Sequence, residues 1–481
     1  MSQQPDWLSL PVEIWLHILG FRISLHDLGV LCLTCSRLLS IARPTLYRHL
    51  ILLSQKDLHP NLSVTDTFAL LARDAELARS VRELTLDSHS TSETYYRNPG
   101  LVQIPSLRNM TQLKRVTIIG DISRHAGAAT IGQFIQILHG LQLEELRFPS
   151  PDARRFMLAV KPEHLVQLAN PKRIECNLGV DNGLLASCYL NLLAAAPPSL
   201  TSLSLVAHRL YSASPMHELF NLHFPHLRSL ALASASDVGP SCPPGFAAFL
   251  SAHHTTLEEL HLGWNRRTPT SNPAALVLDT PADLTPDFLP NLRVFRGDCR
   301  NVAMMARARM RCLVTLRDLA VGTAERDPQA VIADVRQMLD ALEVAGRLSA
   351  LRQLDFELFE WRDAEREFMP EFVGRVGALC GATLEGWRGL MPFGGEWPLD
   401  GFAAFPRLRA MRLPQDSTAL TATISADQVY VATDVLGCLH SLAETCNELQ
   451  EVAIVDRRRA DDVCWKIDRH RVLGVAFRRV E

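Results

Sequence analysis

A short pattern of apolar and polar positions recurs along most of the chain. Its frame is one apolar residue, two residues of any kind, an apolar residue, one residue of any kind and a last apolar residue. Thirteen copies begin at positions 81, 113, 143, 171, 200, 227, 257, 292, 316, 351, 384, 408 and 449, from VRELTL to LQEVAI. Alternation at the fourth and sixth positions predicts a strand with these residues in the core, while the third and fifth positions lie on the opposite face.

Helical periodicity fills several of the intervals between these strands. Apolar residues repeat at helical spacing from Ile131 to Leu138 and from Val331 to Leu342, and a further amphipathic helix is predicted before Ser80. The copies are about 31 residues apart on average. Strand, helix and strand at this interval predict stacked repeats, each of which buries its apolar face against its neighbours.

The longest intervals contain segments rich in turn residues. These segments are 88–105, 237–245, 267–290 and 391–401. The proline-rich segment 267–290 is predicted to be a disordered loop. The segment VLGVAFRRV from Val472 is predicted to be a last strand or a cap over the exposed end of the core.

The apolar stretch 10–50 has helical periodicity of its own. Pro11 can occupy a first helical turn, and Ser24 with Asp27 has the spacing of a capping box, which predicts a second helix. Pro44 is predicted to stop a third helix, with one more turn near Tyr47. Helices this short cannot enclose a core of their own, so some of their apolar residues are expected to face a partner.

This stretch resembles the F-box, in the form found in many fungal F-box proteins. The resemblance rests on LPVEI from Leu10, IL at 18 and 19, DL at 27 and 28, CS at 35 and 36, and ARPTLYR from Ala42. It implies docking on a Skp-family linker protein, which joins the chain to a cullin scaffold and its RING partner. The implied contact set is Leu10, Pro11, Ile14, Ile18, Leu19, Leu25, Leu28 and Leu31.

The strand frame is the signature of leucine-rich repeats. The predicted fold is therefore an α/β solenoid, a leucine-rich-repeat horseshoe with a parallel sheet on its inner face, preceded by a small all-α F-box. We expect the F-box at 1–52, a connecting helix and linker at 53–80, and the solenoid with its cap at 81–481. Leu38, Ile41, Leu46 and Tyr47 are expected to pack against the first repeats and make box and solenoid one rigid body.

Composition and charge narrow the kinds of partner that are expected and the cellular compartment that is predicted for the protein. The formal net charge is −3, and the few arginine clusters have no interleaved aromatic residues, so neither nucleic acid nor a membrane is expected as a partner. There is no secretory signal pattern and no run of 18 apolar residues. Eleven cysteines without framework spacing indicate reduced thiols, which predicts a cytoplasmic or nuclear protein.

Motifs that would carry chemistry are weak. Cys32 and Cys35 form a CxxC, but no further ligands have zinc-site spacing, so these residues are expected to pack within the box. His253 and His254 are adjacent on a predicted helix and are expected to be exposed to solvent. No common nucleophile, phosphate-loop or zinc-protease motif is present, so we expect no catalytic site, no metal and no cofactor.

The third and fifth positions of the strands are the more informative ones. In the middle repeats they are small and uncharged, whereas in the later repeats arginines alternate with acidic residues. A shallow centre flanked by charge predicts a surface for a protein substrate. The candidate substrate-binding residues are Arg147, His261, Trp264, Arg296, Asp355, Arg388 and Arg412.

Together these patterns favour a substrate-receptor subunit of an SCF-type ubiquitin ligase, by resemblance. Such a subunit acts by proximity, because it raises the local concentration of substrate lysines near a charged ubiquitin-conjugating enzyme. Two alternatives remain. One is a protein-binding scaffold that uses the repeats without ligase assembly, and the other is an enzyme housed in the solenoid, which would need polar residues converging in a closed pocket.

Overall fold

The computed structural model describes residues 10–15, 25–53, 64–87, 104–120, 128–150, 153–160, 164, 171–177, 183–196, 198–207, 216–234, 245–263, 285–322, 327–346, 348–356, 368–389, 399–414, 424–425, 428–429, 441–455, 463–470 and 474–480. It divides into two compact units, Met1–Leu227 and Arg228–Glu481, called here the N-terminal and C-terminal units. Residues 267–284 of the predicted disordered loop and the predicted capping residue Ser24 lie outside the described residues. At 285–290 the prediction of disorder is wrong, because Phe288 and Leu289 are buried.

The N-terminal unit begins with short helices. Residues 12–15 are helical, and α1 (Leu25–Thr34) and α2 (Ser36–Leu46) follow. Cys35 separates the two helices because its backbone is extended and its thiol accepts a hydrogen bond from the Leu38 amide at 3.4 Å, as an N-cap side chain does. Pro44 lies inside the last turn of α2. The prediction that Pro44 stops the helix is therefore wrong by about one turn.

The sheet begins within the segment that the sequence predicts to be all-helical. Residues His49–Leu53 form strand β1, which pairs in parallel with Glu83–Asp87 (β2). The Arg48 carbonyl accepts hydrogen bonds from the Arg82 and Glu83 amides at 2.9 and 3.1 Å. The turn predicted near Tyr47 is present, since the Tyr47 amide donates to the Arg43 carbonyl at 3.1 Å, but it does not extend to Leu50, because the backbone from His49 onward pairs with β2.

Two helices connect β1 to β2. They are α3 (Val64–Arg73) and α4 (Ala75–Ser80), and they are separated by Asp74, whose carboxylate accepts from the Leu77 amide at 2.9 Å. Asp74 also forms an ion pair with Arg43 of α2 at 3.3 Å. Asp74 thus ends one helix, caps the next and ties both to α2.

The remaining elements of the N-terminal unit alternate between helix and strand. They are α5 (Ile104–Asn109), β3 (Arg115–Ile119), α6 (Ala128–Gly140), β4 (Glu145–Phe148), α7 (Arg154–Ala159), β5 (Arg173–Asn177), α8 (Gly183–Ala194), β6 (Ser202–Ala207) and α9 (Met216–Leu219). Strands β1 to β6 pair in chain order, and all of these pairs are parallel.

The C-terminal unit continues the same alternation. Its elements are β7 (Ser229–Ser234), α10 (Phe246–Ala252), β8 (Glu259–Leu262), β9 (Val294–Asp298), α11 (Cys299–Arg307), α12 (Cys312–Thr315), β10 (Asp318–Gly322), α13 (Pro328–Ala345), β11 (Gln353–Asp355), α14 (Met369–Cys380), β12 (Gly386–Arg388), α15 (Leu399–Phe402), β13 (Ala410–Pro414), β14 (Ile424–Ser425), β15 (Gln428–Val429), β16 (Glu451–Val455), β17 (Val463–His470) and β18 (Gly474–Val480). Residues 441–445 are also helical.

The sheet of the C-terminal unit is parallel until its last two strands. Strands β7 to β13 and then β16 pair in parallel and in order. Strands β17 and β18 pair antiparallel, and β17 pairs antiparallel with β16. The predicted terminal strand is confirmed, and it belongs to an antiparallel hairpin at the end of the parallel strands.

All thirteen predicted strands are confirmed, and each begins at the third residue of its copy. The fourth positions are buried, as Leu84, Leu260 and Met411 show. Most third and fifth positions are half-buried or exposed on the other face, which we call the open face of the sheet. The chain is thus an α/β solenoid, and the open face is where its strands present the side chains of their third and fifth positions.

The hydrophobic cores of the two units differ in the aromatic residues that lie beneath the sheet. In the N-terminal unit, Phe148 stacks on Phe156 with ring centroids 6.2 Å apart. In the C-terminal unit, Trp387 is 2% exposed and lies within 6.1 Å, centroid to centroid, of four phenylalanine rings. These rings belong to Phe356, Phe372, Phe402 and Phe405.

The described cysteines are free thiols, and most of them are buried. Burial raises the pKa of Cys312 and of Cys380 to about 12, which keeps these thiols protonated at neutral pH. Cys32 is half-buried and packs beside Leu28. Among the described residues no group of three histidine, cysteine or acidic side chains is placed to hold a metal ion.

Candidate protein-binding surfaces

The helical segment before β1 has an apolar exterior. Six of the nine exposed large apolar side chains among the described residues lie between positions 12 and 51. They are Val12, Ile14, Val30, Leu33, Leu39 and Ile51. Leu33 is the most exposed of them, at 87%. Because apolar side chains clustered on a surface mark interaction sites, we call this group the apolar surface of the box.

A small core beneath this surface explains why so much of it stays exposed. Leu28, Ile41 and Ala42 are buried together, with Trp15, Leu31, Cys32 and Leu46 partly buried around them. The two helices α1 and α2 have no third layer among the described residues of this cluster. Nothing in the described part of the chain therefore covers their outward apolar residues.

The predicted contact residues divide into three groups. Pro11 and Ile14 are exposed, and Leu10 and Leu31 are half-buried, so these four remain candidates. Leu28 is only 4% exposed and belongs to the small core. Its prediction as a contact residue is replaced by a packing role. Ile18, Leu19 and the side chain of Leu25 lie outside the described part of the chain.

The residues predicted to join the box to the repeats also divide. Leu38 and Ile41 are each 7% exposed, whereas Leu46 and Tyr47 are half-buried. Ile41 packs with Leu28 inside the box. The strongest link from box to repeats is the β1–β2 pairing, which helical periodicity did not reveal.

On the open face of the N-terminal unit, charges alternate from strand to strand. The parallel register aligns the third positions of β1 to β5, which are His49, Glu83, Arg115, Glu145 and Arg173. His49 Nδ1 lies 2.8 Å from Glu83 Oε2, and Arg115 lies 2.6 Å from Glu83 and 3.4 Å from Glu145. We call this row the ion-pair ladder.

Arg147, a predicted substrate-binding residue at a fifth position, is linked to this ladder through Glu145. Its Nε donates to Glu145 Oε1 at 2.7 Å and lies 3.7 Å from Glu175 Oε2. The Glu145 side chain is only 8% exposed and serves both Arg115 and Arg147. The structure therefore gives Arg147 a place in a network of internal ion pairs, which reduces its availability to a ligand.

The open face of the C-terminal unit contains a pocket of about 280 Å³. Four of the predicted substrate-binding residues line it, namely Arg296, Asp355, Arg388 and Arg412. Further lining comes from Asp318, Gln353, Ala320, Gly386 and Ala410, which also occupy third and fifth positions. The structure thus brings together four residues that the sequence spreads over more than a hundred positions.

Small residues create the space in this pocket. At the third and fifth positions of β10, β12 and β13, Ala320, Gly386 and Ala410 leave the backbone uncovered. A Cβ at Gly386 would stand 1.9 Å from Gln353 Oε1, because the Gln353 side chain lies across this glycine. The floor is the apolar layer that contains Leu319, Leu354 and Trp387.

Gly389 fixes the edge of the pocket beyond β12. Its φ of +130° is a conformation that residues with a Cβ rarely adopt, and a Cβ there would stand 2.8 Å from the Phe356 Cβ. This backbone lets the Gly389 amide donate to the Arg412 carbonyl at 2.9 Å. This hydrogen bond joins the end of β12 to β13 beside Arg388 and Arg412.

Register places two cations side by side. Arg388 and Arg412 are aligned residues of β12 and β13, with Asp355 aligned on the other side of Arg388. Arg388 Nε lies 3.9 Å from Asp355 Oδ2. Arg412 is exposed, and no carboxylate among the described residues forms an ion pair with it.

At the other end of the pocket, Asp318 lies near Arg296. Partial burial raises the pKa of Asp318 above its usual range, and the nearby Glu259 carboxylate raises it further, whereas Arg296 and Arg317 lower it. This balance shows that the pocket partly shields its charges from water. Asp318 and Gln353 were missed as site residues, although their third positions in the strand frame place them on the open face.

The two other predicted substrate-binding residues lie apart from the pocket. His261 is half-buried on β8 and is aligned with Arg296 of β9, one strand beyond the pocket lining. Trp264 lies outside the described residues. Nearby, the prediction that His253 is exposed is wrong, because it is 1% exposed, packs on Phe249 and has its Nδ1 2.7 Å from the Phe249 carbonyl. His254 is exposed, as expected.

Comparison with known proteins finds a family for the segment that contains the apolar surface of the box. Residues 7–53 match the F-box-like family model. Among solved structures, the chain is similar to the leucine-rich repeat-containing protein LegL7 from Legionella pneumophila, at 12% identity and a TM-score of 0.35, over 78% of this chain and 91% of that one. No curated protein matches the sequence. The chain therefore has an F-box-like domain whose last strand, β1, is also the first strand of the repeat sheet.

No helix among the described residues is long and apolar enough to span a membrane.

Proposed function

We propose that this chain is the substrate-receptor subunit of an SCF-type ubiquitin ligase. Its F-box-like domain would dock on a Skp-family linker protein, which connects it to a cullin and a RING subunit, and its open sheet face would hold a protein substrate. The observation that carries the proposal is the apolar surface of the box, which the other described residues leave uncovered. Burying such a surface against a partner is favourable at about 25 cal/mol per Å².

The proposed division of labour follows the order of the chain. Residues 1–52 serve assembly, 53–80 connect, and 81–481 provide the substrate surface and the cap. Because β1 pairs with β2, backbone hydrogen bonds fix the orientation of the box relative to the first repeat. The receptor works by positioning substrate lysines rather than by chemistry of its own, in the cytoplasm or the nucleus.

The first prediction tests docking by placing charge on the apolar surface of the box. The double substitution Ile14→Glu with Leu33→Glu is expected to abolish co-purification with a co-expressed Skp-family subunit, because two charges would be buried in the interface. Both side chains are exposed, so the circular dichroism spectrum and melting temperature should remain those of the unmodified chain.

Val344→Glu is the matched control for this test. Val344 is an exposed apolar residue, at 77%, but it lies on α13 in the C-terminal unit. It should leave co-purification unchanged. If the double substitution also leaves the complex intact, the docking proposal is wrong, and a protein-binding scaffold without ligase assembly becomes the better description. Ubiquitination of a bound protein in a reconstituted assay separates these two functions directly.

A further inference from the structure

The pocket of the C-terminal unit contains an excess of positive charge at one end. Arg388 and Arg412 are aligned on adjacent parallel strands, which lie about 4.8 Å apart. Like charges that face each other across neighbouring strands repel. Asp355 serves Arg388, whereas Arg412 has no carboxylate partner among the described residues. The described residues therefore leave one guanidinium at this position without neutralisation.

The same end of the pocket offers room for an anion and the group that carries it. Gly386 and Ala410 lie two residues before Arg388 and Arg412 on the same two strands and contribute almost no side chain. The whole pocket, at about 280 Å³, corresponds to roughly nine water molecules at ~30 Å³ each. This space is enough for one acidic side chain and part of its backbone. Gln353, which lies across Gly386, places an amide that can donate or accept beside it.

Partial shielding from water strengthens an ionic contact at this place. The Arg388 side chain is 24% exposed and Asp355 is 12% exposed. Burial also raises the pKa of Asp318 across the pocket. Beside Arg388 the attraction between a guanidinium and an anion therefore exceeds that of a fully exposed pair, whereas the Arg412 side chain is itself exposed. Two planar guanidiniums side by side can also bind carboxylate or phosphate oxygens through paired N–H groups.

We propose that this pocket binds an anionic oxygen group of the protein substrate, a carboxylate or a phosphate, between Arg388 and Arg412. The inference deepens the proposed function, since the ligand would be the recognition segment of the captured substrate. It concerns the pocket alone, so its test needs no Skp-family subunit. The carboxylate of Asp355 sets the position of Arg388, and Arg412 provides the charge that the substrate neutralises.

The test uses the full-length chain and four random peptide libraries. Each library has a fixed central residue, which is glutamate, phosphoserine, glutamine or lysine. Binding is expected to favour the glutamate or the phosphoserine library over the glutamine and lysine libraries, and the preferred one of the two identifies the source of the anion. The preference should weaken as salt is raised, because the contact is electrostatic.

Arg412→Gln should lower affinity for peptides chosen from the preferred library by about tenfold or more, since a hydrogen bond to a charged group is lost. Arg412→Lys should give a smaller loss, because it keeps the charge and loses the paired geometry. Arg409→Gln is the control. Arg409 lies on the same chain segment but pairs with Glu448 at 3.0 Å and is not part of the pocket lining, so its replacement should change nothing.

Three results would overturn the proposal. They are no preference for an anionic library, no detectable binding of any library, or a preference that survives Arg412→Gln. Failure of the docking test with Ile14→Glu and Leu33→Glu would leave these measurements unaffected. The two proposals can therefore fail separately.

Discussion

The open faces of the two units are built from the same strand frame but differ in how their charges are arranged. In the N-terminal unit, signs alternate along the ion-pair ladder, and Glu145 serves arginines on both β3 and β4. In the C-terminal unit, two arginines are aligned beside small residues, and a pocket opens between them. The scaffold is shared, so two side chains per repeat decide whether the face is satisfied internally or available to a ligand.

The ladder is more important for recognition than for stability. Exposed ion pairs contribute only about 0–1 kcal/mol each, so the contact of Arg115 with Glu83 adds little to the fold. Their effect is to neutralise the face, because a ligand would have to compete with partners already in place. In the C-terminal pocket, Arg412 has no carboxylate partner among the described residues with which a ligand would compete.

The largest expected effect comes from removing the floor of the pocket. Trp387→Ala should destabilise the C-terminal unit by about 3–5 kcal/mol, because a buried indole packed among four phenylalanine rings is replaced by a cavity. Urea unfolding followed by circular dichroism measures this loss. Peptide binding at the pocket should fall as well.

Phe148→Ala provides the matched change beneath the ladder. Phe148 is fully buried under the open face of the N-terminal unit, so its loss should also cost several kcal/mol. Peptide binding by the fraction that remains folded should stay normal. Equal loss of binding in both variants would show that the pocket is not the binding site.

A smaller effect is expected from breaking the ladder at its most buried carboxylate. Glu145→Gln should destabilise the N-terminal unit by about 1–3 kcal/mol, because Arg115 and Arg147 lose the anion between them. Glu144→Gln, next to it in sequence, removes only an exposed pair with Lys114 and should cost less than about 0.5 kcal/mol. Chemical denaturation distinguishes the two. Equal costs would mean that the ladder contributes no more than ordinary surface pairs.

The smallest effect concerns Asp318 and the pH dependence of stability. Its folded pKa is raised above the usual carboxyl value of 3.8, mainly by burial and further by Glu259, against the opposing effects of Arg296 and Arg317. Between 3.8 and the raised value, the folded chain binds more protons than the unfolded chain, so this group lowers stability as pH rises through that window.

Asp318→Asn should therefore remove part of that slope and raise the melting temperature slightly at neutral pH. The change should correspond to less than about 1 kcal/mol, because the carboxyl is only half shielded from solvent. Melting temperatures measured from acidic to neutral pH for both chains provide the test. A steeper slope in the variant would contradict the direction of the shift.

Sequence alone located the thirteen predicted strands and the side chains on each face. A strand's alternation has a period of two residues, so LEELHL or LQEVAI can be recognised as a strand from its own residues. The apolar helices of the box were also visible as short amphipathic segments in need of a partner. Four of the seven candidate substrate-binding residues line one pocket, because the strand frame placed Arg296, Asp355, Arg388 and Arg412 on one face.

Tertiary structure decided the features that depend on pairing between distant residues. HLILL from His49 has no alternation that separates a strand from a helical turn, and only its hydrogen bonds to β2 make it the first strand. Leu28 was predicted to contact a partner and His253 to be exposed to solvent, yet the packing around each one buries it.

The pocket itself arises from register. Which residues align with Arg412 depends on the lengths of the intervening loops and helices, and on backbone pairing such as the hydrogen bond from the Gly389 amide to the Arg412 carbonyl. Local pattern fixes the face on which a side chain lies, because that depends on neighbouring residues in the chain. Which side chains on that face are adjacent depends on long-range backbone pairing, and the three-dimensional fold alone determines it.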